Sequence, residues 1–296
     1  MNLNNLLNTS ISENYLYNLN LTLTEAELSK FRGIKYVCMQ GSGERAKELA
    51  KQLAATFLSI DANYFEPINL IDTSKYQCYR VGKILSVSHG MGNASISTLL
   101  HGLTKVLHYA GNTELEYIRI GTSGGINVAP GSVILTDTAL MPNLVAGYTI
   151  SALGKKLTYP TTMNAALNTR IRKAQPTDLD FPILEGNSIA ADDFYQGQAR
   201  YDGAIKPKYD DDMRQAYFAK VKQLKVLNFE MESTALAAFA NRAGIPAAMI
   251  AVTLVNRFQG DQITAAAETL ARYAERAQTV AINYLKSQLL DQISLA

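Results

Sequence analysis

Cysteine is nearly absent: the 296-residue chain has two, Cys38 and Cys78, in unrelated contexts and without the spacing of a metal site. Both fall in strand-like runs, so the expectation is buried free thiols in a reducing, cytoplasmic compartment. Histidine is as scarce, with His89, His101 and His108 only, and no metal site is expected. The longest apolar run, residues 243–255, is broken by Gly244 and Pro246 and falls short of the about 20 residues a membrane helix requires. The first 25 residues are rich in Asn and Leu without a basic leader region, which reads against a signal peptide. A large charge of either sign is missing too. The 28 Lys+Arg set against 26 Asp+Glu leave +2, with no footprint for nucleic acid or a membrane surface.

What remains is an ordinary globular composition, 47% hydrophobic, long enough for an ample core. Strand and helix patterns alternate. Residues 34–39 read as a buried strand, followed by a helix over 44–57. A hairpin hinged at Gly82 covers 76–88, and a helix follows over 93–109. Strands are expected at 117–120, 132–138, 182–184, 226–229 and 247–255, and helices at 163–173, 231–242 and 262–290. Residues 188–212 read as a polar, turn-like segment. No repeat or linker interrupts the pattern, so the expectation is a single α/β domain over 1–296 with helices on both faces of its sheet. Ligands of such sheets gather at the carboxyl ends of strands.

Arg119 is the most informative residue. It lies in the apolar strand Tyr117-Ile118-Arg119-Ile120, which leads into the small-residue turn Gly121-Thr122-Ser123-Gly124-Gly125. A buried guanidinium requires a counter-anion. That anion is either a distant carboxylate of the chain or a ligand held against glycine-opened backbone. A second turn, Gly41-Ser42-Gly43-Glu44-Arg45-Ala46, matches a dinucleotide fingerprint, with Asp61 at a suitable distance. Arg45 in the first helical turn favours a compact anion over a pyrophosphate, and a plain tight turn is the other reading. In Ser88-His89-Gly90-Met91-Gly92 the glycines allow close approach. His89 could be catalytic there but reads first as a satisfied histidine at a strand end, and His101 and His108 as structural.

Two further motifs suit a nucleoside. In Phe194-Tyr195-Gln196-Gly197-Gln198-Ala199-Arg200, an extended backbone would put Gln198 and Arg200 on one side. The Gln198 amide can accept from N3–H of uracil and donate to O2, while Arg200 donates to O4. Cytosine, lacking the N3 proton and carrying an amino group, would be refused, and Phe194 could stack on the base. The competing reading is a polar loop. In Asn228-Phe229-Glu230-Met231-Glu232-Ser233, acidic residues suit a helix start. Glu230 and Glu232, two apart, cannot share a face, so one can be structural while the other meets a ribose diol.

Together with Val255-Asn256-Arg257, these motifs resemble the uridine phosphorylases of the nucleoside phosphorylase-I family, in its animal-type branch, over about residues 36–285. The resemblance implies a three-layer α/β/α sandwich with a twisted mixed central sheet and a homodimer with shared active sites. Residues 1–30 would then be an N-terminal extension contributing to that dimer. It implies a phosphate cradle of Gly41, Arg45, Arg119 and Thr122, a uracil site of Phe194, Gln198, Arg200 and Arg257, and a ribose site of Met231 and Glu232. Lys75 aligns where the family's partner subunit lends an arginine to phosphate, and Asn18 where it lends a histidine to the ribose. Asn256-Arg257 stands where purine-specific relatives carry an Asp that protonates the base, which argues for a pyrimidine.

The implied activity is reversible phosphorolysis of uridine to uracil and ribose 1-phosphate, a step of pyrimidine salvage. Inorganic phosphate is the co-substrate and no cofactor is required. Arg119, Arg200 and Glu232 would carry the catalysis. The alternatives are a nucleoside hydrolase of the same fold and a catalytically weak or silent nucleoside-binding homologue. A nicotinamide-dependent oxidoreductase rests on the Gly41 turn alone.

Overall fold

The computed structural model describes residues 15–71 and 73–289. Its contacts divide the chain into two compact units, the first running to Arg119 and adding Phe239–Ala247, the second made of the rest.

In the first unit, β1 (Tyr15–Leu16) and β2 (Leu21–Thr22) form a short hairpin around a 3-10 turn, Tyr17–Leu19, and α1 (Glu25–Ser29) follows. The strand β3 (Tyr36–Gln40) lies parallel to β5 (Ile84–Ser88), and β4 (Cys78–Val81) runs antiparallel to β5. Every residue of β3 and β5 is buried. Between them α2 (Gly43–Leu58) begins at Ser42, whose hydroxyl accepts from the Arg45 amide at 3.3 Å. Leu49, Ala50, Leu53 and Ala54 recur at helical spacing and supply its buried stripe. The helix α3 (Asn93–Tyr109) follows Gly92, which holds φ +88°. The strand β6 (Glu116–Gly125) gives this unit its first four residues. Cys38 and Cys78 are buried free thiols, pushed up to about 12 by burial.

In the second unit, β10 (Ile183–Ala190) lies parallel to both β7 (Val133–Leu140) and β11 (Val226–Glu230), and β12 (Ala247–Asn256) runs antiparallel to β7. An exposed hairpin joins β8 (Tyr148–Ala152) to β9 (Lys155–Tyr159), and α4 (Ala165–Lys173) follows. The helix α5 (Asp211–Gln223) packs Phe218 and Val221 onto Val226 and Phe229 of β11. The remaining helices are α6 (Ser233–Ala243), whose last five residues belong to the first unit, and α7 (Ala267–Leu289). The α/β class and the mixed pairing expected from the sequence both hold.

Three expectations are corrected. The small-residue segment 121–125 is not a turn but the second half of β6, with Gly124 and Gly125 opposite Phe229 and Asn228 of β11. Glycine suits it: a Cβ on Gly124 would stand 3.0 Å from the Arg257 stem, and one on Gly125 would stand 2.8 Å from the Val128 carbonyl. Arg119 is therefore interior to its strand rather than at its end. Second, α5 and the β8–β9 hairpin went unforeseen. The buried residues of α5 are Phe218 and Val221, and β9 is almost wholly exposed, so neither carries a strong apolar period. Third, α6 starts at Ser233, not 231. Residue 290, the expected last of the closing helix, and residues 1–14 of the expected extension lie outside the described residues.

Candidate functional site

In the first unit the ends of β3 and β5 build an arginine-rich corner. The His89 amide donates to the Gln40 carbonyl at 2.7 Å, tying the residue after β5 to the last of β3. Gly41 comes next. A Cβ there would stand 2.8 Å from Arg45 Nη2 and 3.6 Å from the Gly90 carbonyl. The missing side chain is what lets the guanidinium fold back across the turn, where Arg45 Nε donates to Ser42 Oγ at 3.2 Å. Gln40 Nε2 donates to the Arg45 carbonyl at 2.6 Å and fixes the first helical turn. Arg119, 4% exposed, is close enough that its charge and that of Arg45 both act on the His89 imidazole.

The dinucleotide reading of this turn fares poorly. A Cβ on Gly43 would run into the Gln77 side chain, so that glycine answers to packing. Asp61 is exposed, in a turn where its carboxylate accepts from the Asn63 amide at 2.9 Å, and it does not end a strand as a ribose-binding acid should.

His89, expected as a satisfied histidine at a strand end, is at most weakly served, by the adjacent Gly90 backbone. The side chain is fully buried, and neither ring nitrogen has a hydrogen bond of good geometry. Burial first, then the positive charges of Arg119 and Arg45, hold it well below the usual histidine range, so it is neutral at physiological pH. Its backbone is well tied, by Ser95 Oγ donating to the His89 carbonyl at 2.6 Å and by Tyr76 OH donating to the Ser95 carbonyl at 3.0 Å. By contrast, the His101 ring packs edge-on against Phe239 at 4.9 Å and His108 against Tyr109 at 5.7 Å.

Lys75 and Asn18, both exposed, meet each other: Lys75 Nζ donates to Asn18 Oδ1 at 3.5 Å and lies 5.3 Å from the Tyr17 ring centre.

In the second unit the residues expected to read a base form one polar network. The segment around Gln198 is not extended. Residues Gln196–Gln198 form a 3-10 turn, Ala199 takes φ +53°, and the amides of Gln198 and Arg200 both donate to the Tyr195 carbonyl. Gln198 and Arg200 therefore do not come to one side by strand alternation, because a helical turn has no period of two. Tertiary bonds bring the residues together instead. Arg257 is fully buried; its Nη2 donates to the Gln198 carbonyl at 2.8 Å and its Nη1 to Gln198 Oε1 at 3.5 Å. This orients the amide, leaving its NH2 as donor and its oxygen with a second lone pair. The Arg200 guanidinium lies 4.5 Å from the centre of the Phe194 ring, which is 39% exposed.

Two aspartates that the sequence reading missed hold the network. Arg200 Nε donates to Asp202 Oδ1 at 2.8 Å, and the pairing raises Arg200 and lowers Asp202 from their ordinary values. Asp261 accepts from Arg257 Nε at 3.0 Å, from Arg214 Nη2 at 2.8 Å and from the Tyr201 amide at 2.9 Å. Its carbonyl takes Arg200 Nη2 at 2.9 Å. Burial lowers Arg257 while Asp261 opposes the shift. Asp261 lies four residues beyond Arg257, in Gly260-Asp261-Gln262. The signal available was the need of a buried Arg257 for a carboxylate within reach.

Glu230 is structural: its carboxylate accepts from the Glu232 amide at 2.8 Å and the Ser233 amide at 3.1 Å, capping α6. Glu232 is 3% exposed, with half-buried Met231 beside it. Thr122 is half-buried on β6, and next to it Ser123 Oγ donates to the Val252 carbonyl at 3.1 Å. Among the described residues no His, Cys, Asp and Glu group could hold a metal, and no helix is long and apolar enough to cross a membrane.

Residues 35–286 match the family model of the phosphorylase superfamily. The chain is 38% identical to uridine phosphorylase 2 of Mus musculus, over 96% of this chain and 89% of that protein. It is 36% identical to uridine phosphorylase 1 of the same organism, over 95% and 90%. Among solved structures, uridine phosphorylase from Schistosoma mansoni in complex with thymidine matches with a TM-score of 0.88 at 30% identity, covering 95% of this chain and 96% of that one.

Proposed function

Because the chain belongs to the uridine phosphorylase family of the phosphorylase superfamily, we propose that it catalyses the reversible phosphorolysis of uridine to uracil and ribose 1-phosphate. The observation that carries the reading is the buried Gln198 amide, held by Arg257 through its oxygen, with its NH2 donors and one acceptor lone pair left to present. That pair matches O2 and N3–H of uracil and mismatches cytosine. Arg200, backed by Asp202, serves O4 through its remaining N–H groups, and Phe194 covers the ring.

Inorganic phosphate is the nucleophile, so the chemistry asks for positioning and charge rather than a protein nucleophile or a cofactor. Gly41, Arg45, Arg119 and Thr122 hold it. As the glycosidic bond stretches, the ribosyl ring gains positive charge, which Glu232 and the phosphate stabilise, with Met231 against the sugar. Uracil leaves with negative charge spread over O2 and O4, received by Gln198 and Arg200.

In this reading the enzyme is a homodimer with shared sites. Lys75 and Asn18 stand together on the surface of one protomer, which suits joint delivery to a second copy, the lysine to phosphate and the asparagine to the ribose. Lysine there keeps the charge but gives up the two-pronged grip of arginine. The buried thiols accord with a reducing compartment, the cytoplasm. Following uridine absorbance with and without phosphate tests the proposal. Turnover should require phosphate and give ribose 1-phosphate; equal turnover without it means hydrolysis, and none in either case means a silent homologue.

A further inference from the structure

We propose that His89 is a further arm of the phosphate site, a neutral imidazole donating its N–H to a phosphate oxygen. The inference rests on reading the Gly41, Arg45 and Arg119 corner as the phosphate cradle. A histidine at a strand end ordinarily satisfies its ring with a carbonyl or a carboxylate. Neither ring nitrogen of His89 has a hydrogen bond of good geometry, and the neighbouring Gly90 backbone exerts only the smallest pull on the ring, although the side chain is fully buried and its backbone is anchored on both sides. The groups charged near it are the guanidiniums of Arg45, from α2, and Arg119, from β6. An anion bound at this corner would draw charge from the arginines and a directed donor from the ring.

Neutrality matters to the role. A neutral imidazole has one N–H and one lone pair, and choice of tautomer turns the donor toward the ligand. An imidazolium would add a third positive charge to a corner that must also release a phosphorylated product. Gly90, at φ +72°, has Ser95 where its Cβ would go, and the Ser95 hydroxyl takes the His89 carbonyl. The ring is thus held by a turn that only glycine accommodates.

The test uses the full-length protein with inorganic phosphate as probe, read by melting temperature and by half-saturation for phosphate and for uridine. In His89→Leu, half-saturating phosphate should rise about tenfold or more, the loss expected for one hydrogen bond to a charged group. The uridine constant should stay put. Melting without phosphate should be unchanged or higher, because an unsatisfied buried polar group has been removed. His89→Gln, which restores a donor, should recover most of the phosphate affinity. His89→Ala, made in parallel, should show the loss of His89→Leu and serves if the leucine chain does not fold. A wild-type protein whose melting and turnover ignore phosphate overturns the cradle and this inference with it. A wild type that responds, with His89→Leu or His89→Ala responding equally, overturns the role of His89 alone. So does His89→Leu melting far below wild type in the absence of phosphate, which would mark a packing residue.

Discussion

Arg257 and His89 are both fully buried, yet they are opposites. Arg257 bonds to Asp261 and twice to Gln198, with its guanidinium 5.5 Å from the Phe229 ring centre. The protein meets that side chain's needs itself, and the result is a rigid frame for the Gln198 amide, the group proposed to read the base. His89 has its backbone pinned and its ring unanswered. Folding alone does not justify burying it, since an orphaned polar group costs about 1–3 kcal/mol. A saturated buried group holds shape, and an unsaturated one is kept for what binds.

The sharpest way to break this contrast is at Asp261. Asp261→Ala strips a carboxylate from Arg257 and Arg214 together. Leaving such cations buried should cost about 3–5 kcal/mol in denaturant unfolding. A loss below 1 kcal/mol would mean that the network is loose. Next is Arg119→Ala, expected to lower phosphate-dependent turnover on the order of 10²–10³ while circular dichroism stays native. Full turnover at saturating phosphate would remove Arg119 from the cradle.

A smaller effect is expected at Gln198. Gln198→Leu should reduce kcat/KM for uridine about 10–100-fold and leave half-saturating phosphate unmoved. If the parent enzyme cleaves cytidine as well as uridine, the amide does not read the base. The smallest effect is one of pH. His89 is depressed in the folded state, so both states are neutral above the ordinary value of 6.5 and the contribution is complete there. Below it the unfolded chain takes up a proton that the folded chain refuses, and stability falls at about 1.4 kcal/mol per pH unit. In phosphate-free buffer His89→Leu should flatten that slope between pH 6.5 and about 5. Parallel curves for the two proteins would show that the ring is not held neutral.

The sequence was most readable where apolar period and punctuation agree. The α3 bounds at Asn93 and Tyr109 follow from Gly92 before the helix and a continuous apolar stripe. It misled where small residues do the work of strand formers. Gly121 to Gly125 look like a turn by propensity, but β11 pairs with the last of them and the stem of Arg257 packs on Gly124, so tertiary contact overrode local preference. At the proposed base site Gln198 and Arg200 are legible as a donor and acceptor set. The route by which they meet is not, because it runs through Asp202, Asp261 and a left-handed Ala199. Long-range bonds leave no local trace in a chain.

The touching of Lys75 and Asn18 has a genetic consequence. If one subunit lends both groups, a chain lacking Lys75 is a faulty donor and a chain lacking Arg119 a faulty recipient, each nearly dead as a pure dimer. Co-expressed, they should rescue one another, since a mixed pair still assembles one sound centre from a good donor and a good recipient. Activity per molecule would likewise fade on dilution, as solitary chains lose the loan.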